Sequence, residues 1–360
     1  MKQIKLMIID LGLDYSGAEA VLNYYLDGNT EIEPHIVTIY NGNATKRFTE
    51  LYGREKVTCA DLKYSKNELR FLPALAQRRV LGRLRAIENS ISPDAIYVNN
   101  TLEIAIAAQY IKTTSVPAVG HIHDMKDSFG TPMKIRAVYR SLKDYRQVFT
   151  VSQACRKSWG VDELKVVYNG VPASFSLMEK KRERDSVRIG FAGMASERKG
   201  FDLLYGAITE MPENVEWEIA YNIVQENCGE YVEQLGKMSN VKLYYKLNSE
   251  EMIGFYDGIS VLVIPSRADP LPTAAIEAMN RNVLVIGSRA GGIGELVGDE
   301  TLLMDELSVQ ALKDKLLEVL SWDEEKMRKT IEKQSSRARE MFSREKKNEI
   351  LNRTFAKIGK

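Results

Sequence analysis

Apolar, strand-like runs and helical stretches alternate along this chain almost throughout, and few folds accommodate that rhythm. The run Ile4-Lys5-Leu6-Met7-Ile8-Ile9-Asp10 opens it, followed by a glycine-containing loop and a helix from about Gly17. Further buried strands are expected at residues 35–40, 95–98, 118–122, 147–151 and 165–168. The pattern then restarts with Val187-Arg188-Ile189-Gly190-Phe191-Ala192-Gly193 and continues through 216–221, 241–245, 259–264 and 283–286. Strands separated by helices pair in parallel, so the reading is α/β, with two successive units that each own a sheet. At 360 residues the chain has the length for two domains of ordinary size.

The break falls between 172 and 186, where Glu179-Lys180-Lys181-Arg182-Glu183-Arg184-Asp185 carries charge and no apolar period. The expected organisation is a first domain over 1–171, a linker over 172–186, a second domain over 187–341 and a terminal helix over 342–360. Hydrophobic residues at 44% and charged residues at 28% describe a globular chain, and no run approaches the roughly 18 apolar residues of a membrane span. Met1-Lys2-Gln3-Ile4-Lys5 runs straight into a strand without a cleavage pattern. Cys59, Cys155 and Cys228 are too scattered for a disulfide framework or a local metal site. These features lead to the expectation of a cytoplasmic protein. The net charge of +1 conceals an imbalance, because residues 1–170 carry 23 Lys/Arg against 18 Asp/Glu. Much of the excess lies at Lys63, Lys66, Arg70, Arg78, Arg79, Arg83 and Arg85, with Phe71, Leu72, Leu75 and Leu81 interleaved. That stretch reads either as a peripheral contact for an anionic membrane or as a solvated helix face over a core stripe.

The most informative local sequence is Ser266-Arg267-Ala268-Asp269-Pro270-Leu271-Pro272-Thr273-Ala274-Ala275-Ile276-Glu277-Ala278-Met279. It leaves the strand at 259–264 and places Asp269 in a proline-bounded loop, with Glu277 eight positions on along a helix. In an open parallel sheet, ligands bind beyond the carboxyl ends of the strands. A helix starting at Pro272 turns its first amides into that space, which suits an anion. Carboxylates beside a positive helix end match a polyhydroxylated molecule that carries phosphate, such as a nucleotide sugar.

This stretch resembles the Glu-x7-Glu signature of retaining glycosyltransferases of the two-domain GT-B type, family 4 in particular. Glu277-Ala278-Met279 is kept, Asp269 stands where a Glu is commoner, and Pro270 stands where Gly is usual. The resemblance implies two Rossmann-like domains facing each other across a cleft, with the nucleotide sugar on the second domain and the acceptor on the first. It also implies a last helix that crosses back to the first domain.

The other motifs follow in family order. Gly193-Met194-Ala195-Ser196-Glu197-Arg198-Lys199-Gly200 is similar to the family's glycine loop ending in Lys-Gly, with Met194 where Arg is frequent. Arg198 and Lys199 supply two adjacent cations for a diphosphate. Ser16-Gly17-Ala18-Glu19 resembles the Gly-Gly-Ala-Glu loop, and Gly17 permits close backbone approach to a ligand. In His121-Ile122-His123-Asp124, alternation puts both imidazoles on one side of a strand end, and His123 best fits the family's histidine near the transferred sugar. Ala290-Gly291-Gly292-Ile293-Gly294-Glu295 matches the Gly-Gly-x-x-Glu loop, with Gly292 beside the donor.

The resemblance therefore implies transfer of a sugar from a nucleoside diphosphate, a UDP-sugar first, to a hydroxyl of a glycan or lipid-linked acceptor in cell-surface polysaccharide synthesis. His123, Asp269 and Glu277 are the catalytic candidates. Arg198, Lys199, Leu271, Pro272 and Thr273 are candidates for the diphosphate, and Gly17, Gly193, Asp269, Glu277 and Gly292 for the nucleotide and sugar. No cofactor, metal or nucleic acid is expected. The competing reading is a non-catalytic sugar-nucleotide-binding subunit that supports a partner transferase, which Asp269 and Met194 keep open.

Overall fold

The computed structural model describes residues 3–61, 73–175 and 187–359. The basic residues Lys63, Lys66 and Arg70, and the charged segment 179–185, lie outside the described residues. Arg83 and Arg85 project into solvent from the helix Pro73–Ile91 while Leu84 between them is buried. Among the described residues, no helix is long and apolar enough to cross a membrane.

The chain divides into two compact units. Met1–Gly170 joins with Arg344–Lys360, and Val171–Ser343 forms the other. The first unit holds β1 (Ile4–Asp10), β2 (Ile32–Thr38), β3 (Val57–Cys59), β4 (Ala95–Asn99), β5 (Ala118–Ile122), β6 (Gln147–Thr150) and β7 (Lys165–Val166). They pair in the order β3-β2-β1-β4-β5-β6-β7, and every pairing is parallel. Such strands are buried on both faces, and β4 and β5 are buried at every residue. Two departures from the sequence reading have simple causes. β3 is a three-residue edge strand, too short to show a period. β2 begins three residues before His35 and runs through Pro34, because the Ile36 amide faces β3 by donating to Lys56 O. The missing N–H of Pro34 therefore points to the same side, before β3 begins opposite Ile36, and costs no ladder bond.

The helix Arg344–Ile358 completes this unit. Leu351 and Phe355 enter the cluster of Leu6, Ile8, Tyr25, Tyr97 and Phe149, and each such side chain contributes about 1.5–3 kcal/mol. Asn352 accepts from Tyr25 Oη at 2.8 Å and donates to Glu31 at 2.9 Å.

The second unit holds β8 (Arg188–Ala195), β9 (Glu216–Val224), β10 (Val241–Tyr245), β11 (Val261–Ile264) and β12 (Leu284–Gly287), again all parallel. Their order, β10-β9-β8-β11-β12, reverses between β8 and β11. At such a reversal the loops leaving adjacent strands part to opposite faces and leave a crevice. The equivalent reversal in the first unit lies between β1 and β4.

Three acids gather near that first reversal. Asp10, Glu19 and Glu103 are 1%, 4% and 1% exposed. Burial, aided by the nearby Glu19 charge, pushes the Asp10 carboxyl up to about 8, although Gly12 N and Asn99 hydrogen bonds pull it down. Burial raises Glu19 and Glu103 as well. In an unfolded chain Asp titrates near 3.9, so between roughly pH 4 and 8 the folded state keeps a proton that the unfolded state has lost. The stability that this proton supplies is complete below about pH 4 and is lost as pH rises through 8. Asp10→Asn removes the term, so its thermal midpoint falls less than that of the wild type between pH 5 and 8.5. Each pH unit between 5 and 8 widens the gap by about 1.4 kcal/mol. Parallel melting curves for the two proteins would refute a neutral Asp10.

Candidate functional site

In the second unit, β8 slips its register with β9 between Gly193, at φ +158, and Ala195, and then enters a single tight turn, Glu197–Lys199. Ser196 caps that turn, its Oγ accepting from Lys199 N at 3.4 Å. Gly200 follows at φ +71, where an added Cβ would sit 2.0 Å from the Pro265 carbonyl oxygen. Only glycine lets the turn rest bare on the exit of β11, and Lys199 lands on the loop 265–272 as a result.

Lys199 Nζ donates to Asp269 Oδ2 at 2.5 Å. The Lys199 side chain keeps 21% exposure and that of Asp269 only 4%. Arg198 donates from its guanidinium to Ala268 O at 3.1 Å, so both predicted cations lie against the Asp269 loop. Arg267 fastens the same two segments. Its amide donates to Arg198 O at 2.8 Å, its Nη1 to Glu197 O at 2.6 Å, and its two Nη atoms grip the Asp202 carboxylate, each at 2.7 Å.

The far side of the Asp269 loop is backed by the turn after β12. Gly291 has φ +59, and a Cβ there would lie 2.0 Å from Asp269 O. Gly292 N donates to that same oxygen at 2.8 Å, and Ser288 Oγ donates to Ser266 O at 2.6 Å. Behind this turn, Arg337 donates to Glu295 O and Leu296 O at 2.6 and 3.1 Å, satisfying carbonyls of the helix Ile293–Val297.

The helix Thr273–Asn280 begins at Pro272, whose φ of −68 sets the entry angle and which has no N–H to give. Pro272 therefore has no amide to offer an anion, and Thr273 opens the first turn, whose leading amides a helix leaves outside its ladder. Leu271 is 3% exposed and anchors the loop in the core. Glu277 lies on this helix, 8% exposed, and accepts from Tyr256 Oη at 2.7 Å. Tyr256, on the helix Ser249–Gly258, is itself fully buried and fixes the Glu277 carboxylate.

A nearly inaccessible carboxylate stays ionised only beside a cation. The Lys199 ammonium supplies that cation to Asp269. The arrangement offers positive charge from Lys199 and Arg198 together with acceptors at Asp269 and Glu277, a set that suits a ligand bearing both phosphate and hydroxyls. Sequence reading missed Arg267, Tyr256 and Gly291. Arg267 stood inside the motif, but its partners Glu197 and Asp202 lie 70 and 65 residues away. Tyr256 stands outside every motif, and a buried tyrosine hydroxyl needs a partner that the sequence does not name. Gly291, rather than Gly292, holds the left-handed backbone.

The first unit carries the remaining candidates. Gly17 starts the helix Gly17–Leu26, and a Cβ on it would meet nothing within 4 Å, so the backbone there is open. Glu19 is committed to that helix start, accepting from Ser16 N at 2.8 Å and Ser16 Oγ at 2.6 Å. His121 and His123 lie on one side of β5 with ring centroids 4.5 Å apart, and Tyr97 Oη meets His121 Nδ1 at 2.6 Å. Thr101 Oγ1 holds the backbone after them, accepting from His123 N at 3.0 Å and Asp124 N at 3.1 Å. Burial first, and then the charge of Lys347, push His123 down to about 3. The imidazole is therefore uncharged at neutral pH.

Two family models cover most of this chain. Residues 175–338 match the model for glycosyl transferases group 1, and residues 30–175 match that for glycosyltransferase family 4. An uncharacterised glycosyltransferase, MJ1178 of Methanocaldococcus jannaschii, is 30% identical over 191 residues, which is 50% of each chain. The chain thus spans about half the length of that curated relative. Among solved structures, Anabaena Alr3699/HepE in complex with UDP and glucose superposes with TM-score 0.81 at 18% identity, covering 98% of this chain and 100% of that one. Sucrose-phosphate synthase from Thermosynechococcus elongatus gives TM-score 0.80 at 15% identity, covering 99% of each chain. The fold is that of GT-B glycosyltransferases, and with the two family matches it supports placing the chain among them.

The turn after β12 gives a direct check on this construction of the site. Gly291→Ala forces a side chain against Asp269 O in a left-handed backbone and lowers stability by roughly 2–4 kcal/mol. Gly17→Ala, which meets open space, stays within about 0.5 kcal/mol of the wild type. Chemical denaturation compares them, and equal effects would contradict the packing described.

Proposed function

We propose that this chain is a retaining, metal-independent glycosyltransferase that moves a sugar from a nucleoside-diphosphate sugar to a hydroxyl of a glycan or lipid-linked acceptor. The observation that carries the proposal is the Lys199–Asp269 pair at 2.5 Å. It joins the two motifs assigned to donor binding at the one place in the second sheet where a parallel fold opens a crevice. A uridine donor is our first choice, supported by the UDP and UDP-glucose that HepE holds in its solved complexes.

When the donor arrives, its diphosphate takes over Lys199, and Arg198 and the first amides of the helix Thr273–Asn280 add to the positive field. Asp269, released from its lysine, accepts from hydroxyls of the sugar, and Glu277, oriented by Tyr256, accepts from the ribose. The sugar–oxygen bond to the diphosphate breaks on the face where the acceptor oxygen attaches. The acceptor proton passes to the departing phosphate oxygen, so no protein nucleophile is needed and the anomeric configuration is kept. Lys199 and Arg198 stabilise the charge that builds on the leaving group. Uncharged His123 is the first unit's candidate for contacting the sugar. We place the protein in the cytoplasm, serving cell-surface polysaccharide synthesis at the inner membrane face, in keeping with the basic balance of residues 1–170.

Purified protein given a panel of UDP-, GDP- and ADP-sugars should release nucleoside diphosphate from one of them, and NMR of the product should show the donor's anomeric configuration. Lys199→Ala should lower kcat/KM by roughly 10²–10³-fold, and Glu277→Ala should raise the donor KM by about tenfold. Turnover and nucleotide affinity untouched by both substitutions would overturn the assignment. Nucleotide binding without any turnover would favour a non-catalytic subunit.

A further inference from the structure

The helix Pro132–Leu142 in the first unit turns two unlike faces to its surroundings. Val138 and Ser141 are buried, and Tyr139 sets its ring 5.4 Å from that of Trp159 and donates its hydroxyl to Trp159 O. At 3.6 residues per turn, Met133, Arg136, Arg140 and Lys143 fall within an arc of about 80° on the side away from Val138. All four are exposed, Met133 at 54%. Residues 128–143 hold these three cations and Lys134, and no acid. Among the described residues, the side chains of Lys134, Arg136, Arg140 and Lys143 make no hydrogen bond or ion pair.

A charged helix of the second unit is built differently. On Glu324–Met341, Arg328 meets Glu332 at 2.7 Å and Lys329 meets Glu325 at 2.5 Å, each one turn away. Helix stability does not account for the unpaired cations either. Lys134 sits in the first turn, where the helix dipole disfavours positive charge, and that turn has no acid. Cations kept apart from acids, in line with one bare thioether, fit a surface that offers many negative charges over an apolar layer. We propose that this face docks on an anionic phospholipid bilayer. Arg136, Arg140 and Lys143 reach the headgroup phosphates, and Met133 enters the acyl boundary. From Met133 to Lys143 the stripe runs about 15 Å along the helix, which therefore lies in the plane of the interface. A nucleic acid would use the cations but has no place for Met133. The inference rests on the placement at a membrane face proposed above, and not on the chemistry of transfer.

Full-length protein is sedimented with vesicles of phosphatidylcholine alone, and with vesicles in which a quarter of the lipid is phosphatidylglycerol. Binding to the anionic vesicles only, weakening as salt rises, is the expected result. Arg136→Gln with Arg140→Gln should lower the partition coefficient by roughly 25-fold, about fivefold for each cation. Met133→Ser should lower it by about fivefold, and Lys143→Gln supplies the same test should the double variant not fold. Arg328→Gln with Lys329→Gln removes as much charge from the second unit and should change it by less than about twofold. Donor turnover in lipid-free solution should be the same in the stripe variants as in the wild type. A wild type that binds anionic vesicles without turning over any donor would refute the transferase while upholding this surface. Equal binding to both kinds of vesicle, equal losses in the two double variants, loss confined to Arg83→Gln with Arg85→Gln, or tighter retention by single-stranded RNA than by vesicles would overturn the proposal.

Discussion

The second unit is organised around keeping one almost water-free carboxylate charged. Asp269, its side chain 4% exposed, depends on the Lys199 ammonium at 2.5 Å. Removing one partner of such a pair leaves the other uncompensated, typically at a cost of several kcal/mol. The surrounding features maintain that contact. Gly200 lets the lysine turn lie on β11, Arg267 ties the turn to the loop, and Gly291 lets the next turn press on the Asp269 backbone. The pair also bears on selectivity under the proposed role. A ligand offering only phosphate would draw Lys199 away and strand Asp269. One offering only hydroxyls would leave Lys199 unpaid in charge. A sugar diphosphate supplies both halves at once.

The first unit handles buried charge in another way. Its acids avoid ionisation: Asp10 is pushed up to about 8 and Glu103 well above the carboxylate range, mainly by burial. Glu19 is absorbed by the cap at Ser16. Its imidazoles avoid protonation for the same reason. Burial likewise pushes the Lys347 ammonium down to about 7.

Much of this was legible in the residues, and the failures are instructive. Parallel strands buried on both faces announce themselves as continuous apolar runs, so β4, β5, β11 and β12 fall within a residue or two of where the sequence puts them. β3 was invisible because three edge residues carry no period, and the start of β2 was hidden by Pro34. Arg198, Lys199, Asp269, Glu277 and Gly292 were legible as motif positions. Their mutual geometry was not, since a separation of 70 residues between Lys199 and Asp269 contains no sign of contact. Tyr256 was hidden for a related reason: a hydrophobic pattern records that a side chain is buried but not which polar tip it carries to a neighbour.

The central claim is that Lys199 exchanges Asp269 for a donor diphosphate. A crystal structure of the protein soaked with UDP-glucose tests it most directly. The account predicts Lys199 Nζ within bonding distance of a phosphate oxygen, with Asp269 turned to a sugar hydroxyl. Bound nucleotide with Lys199 still closed on Asp269 and no phosphate near it, or nucleotide seated away from both residues, would contradict it.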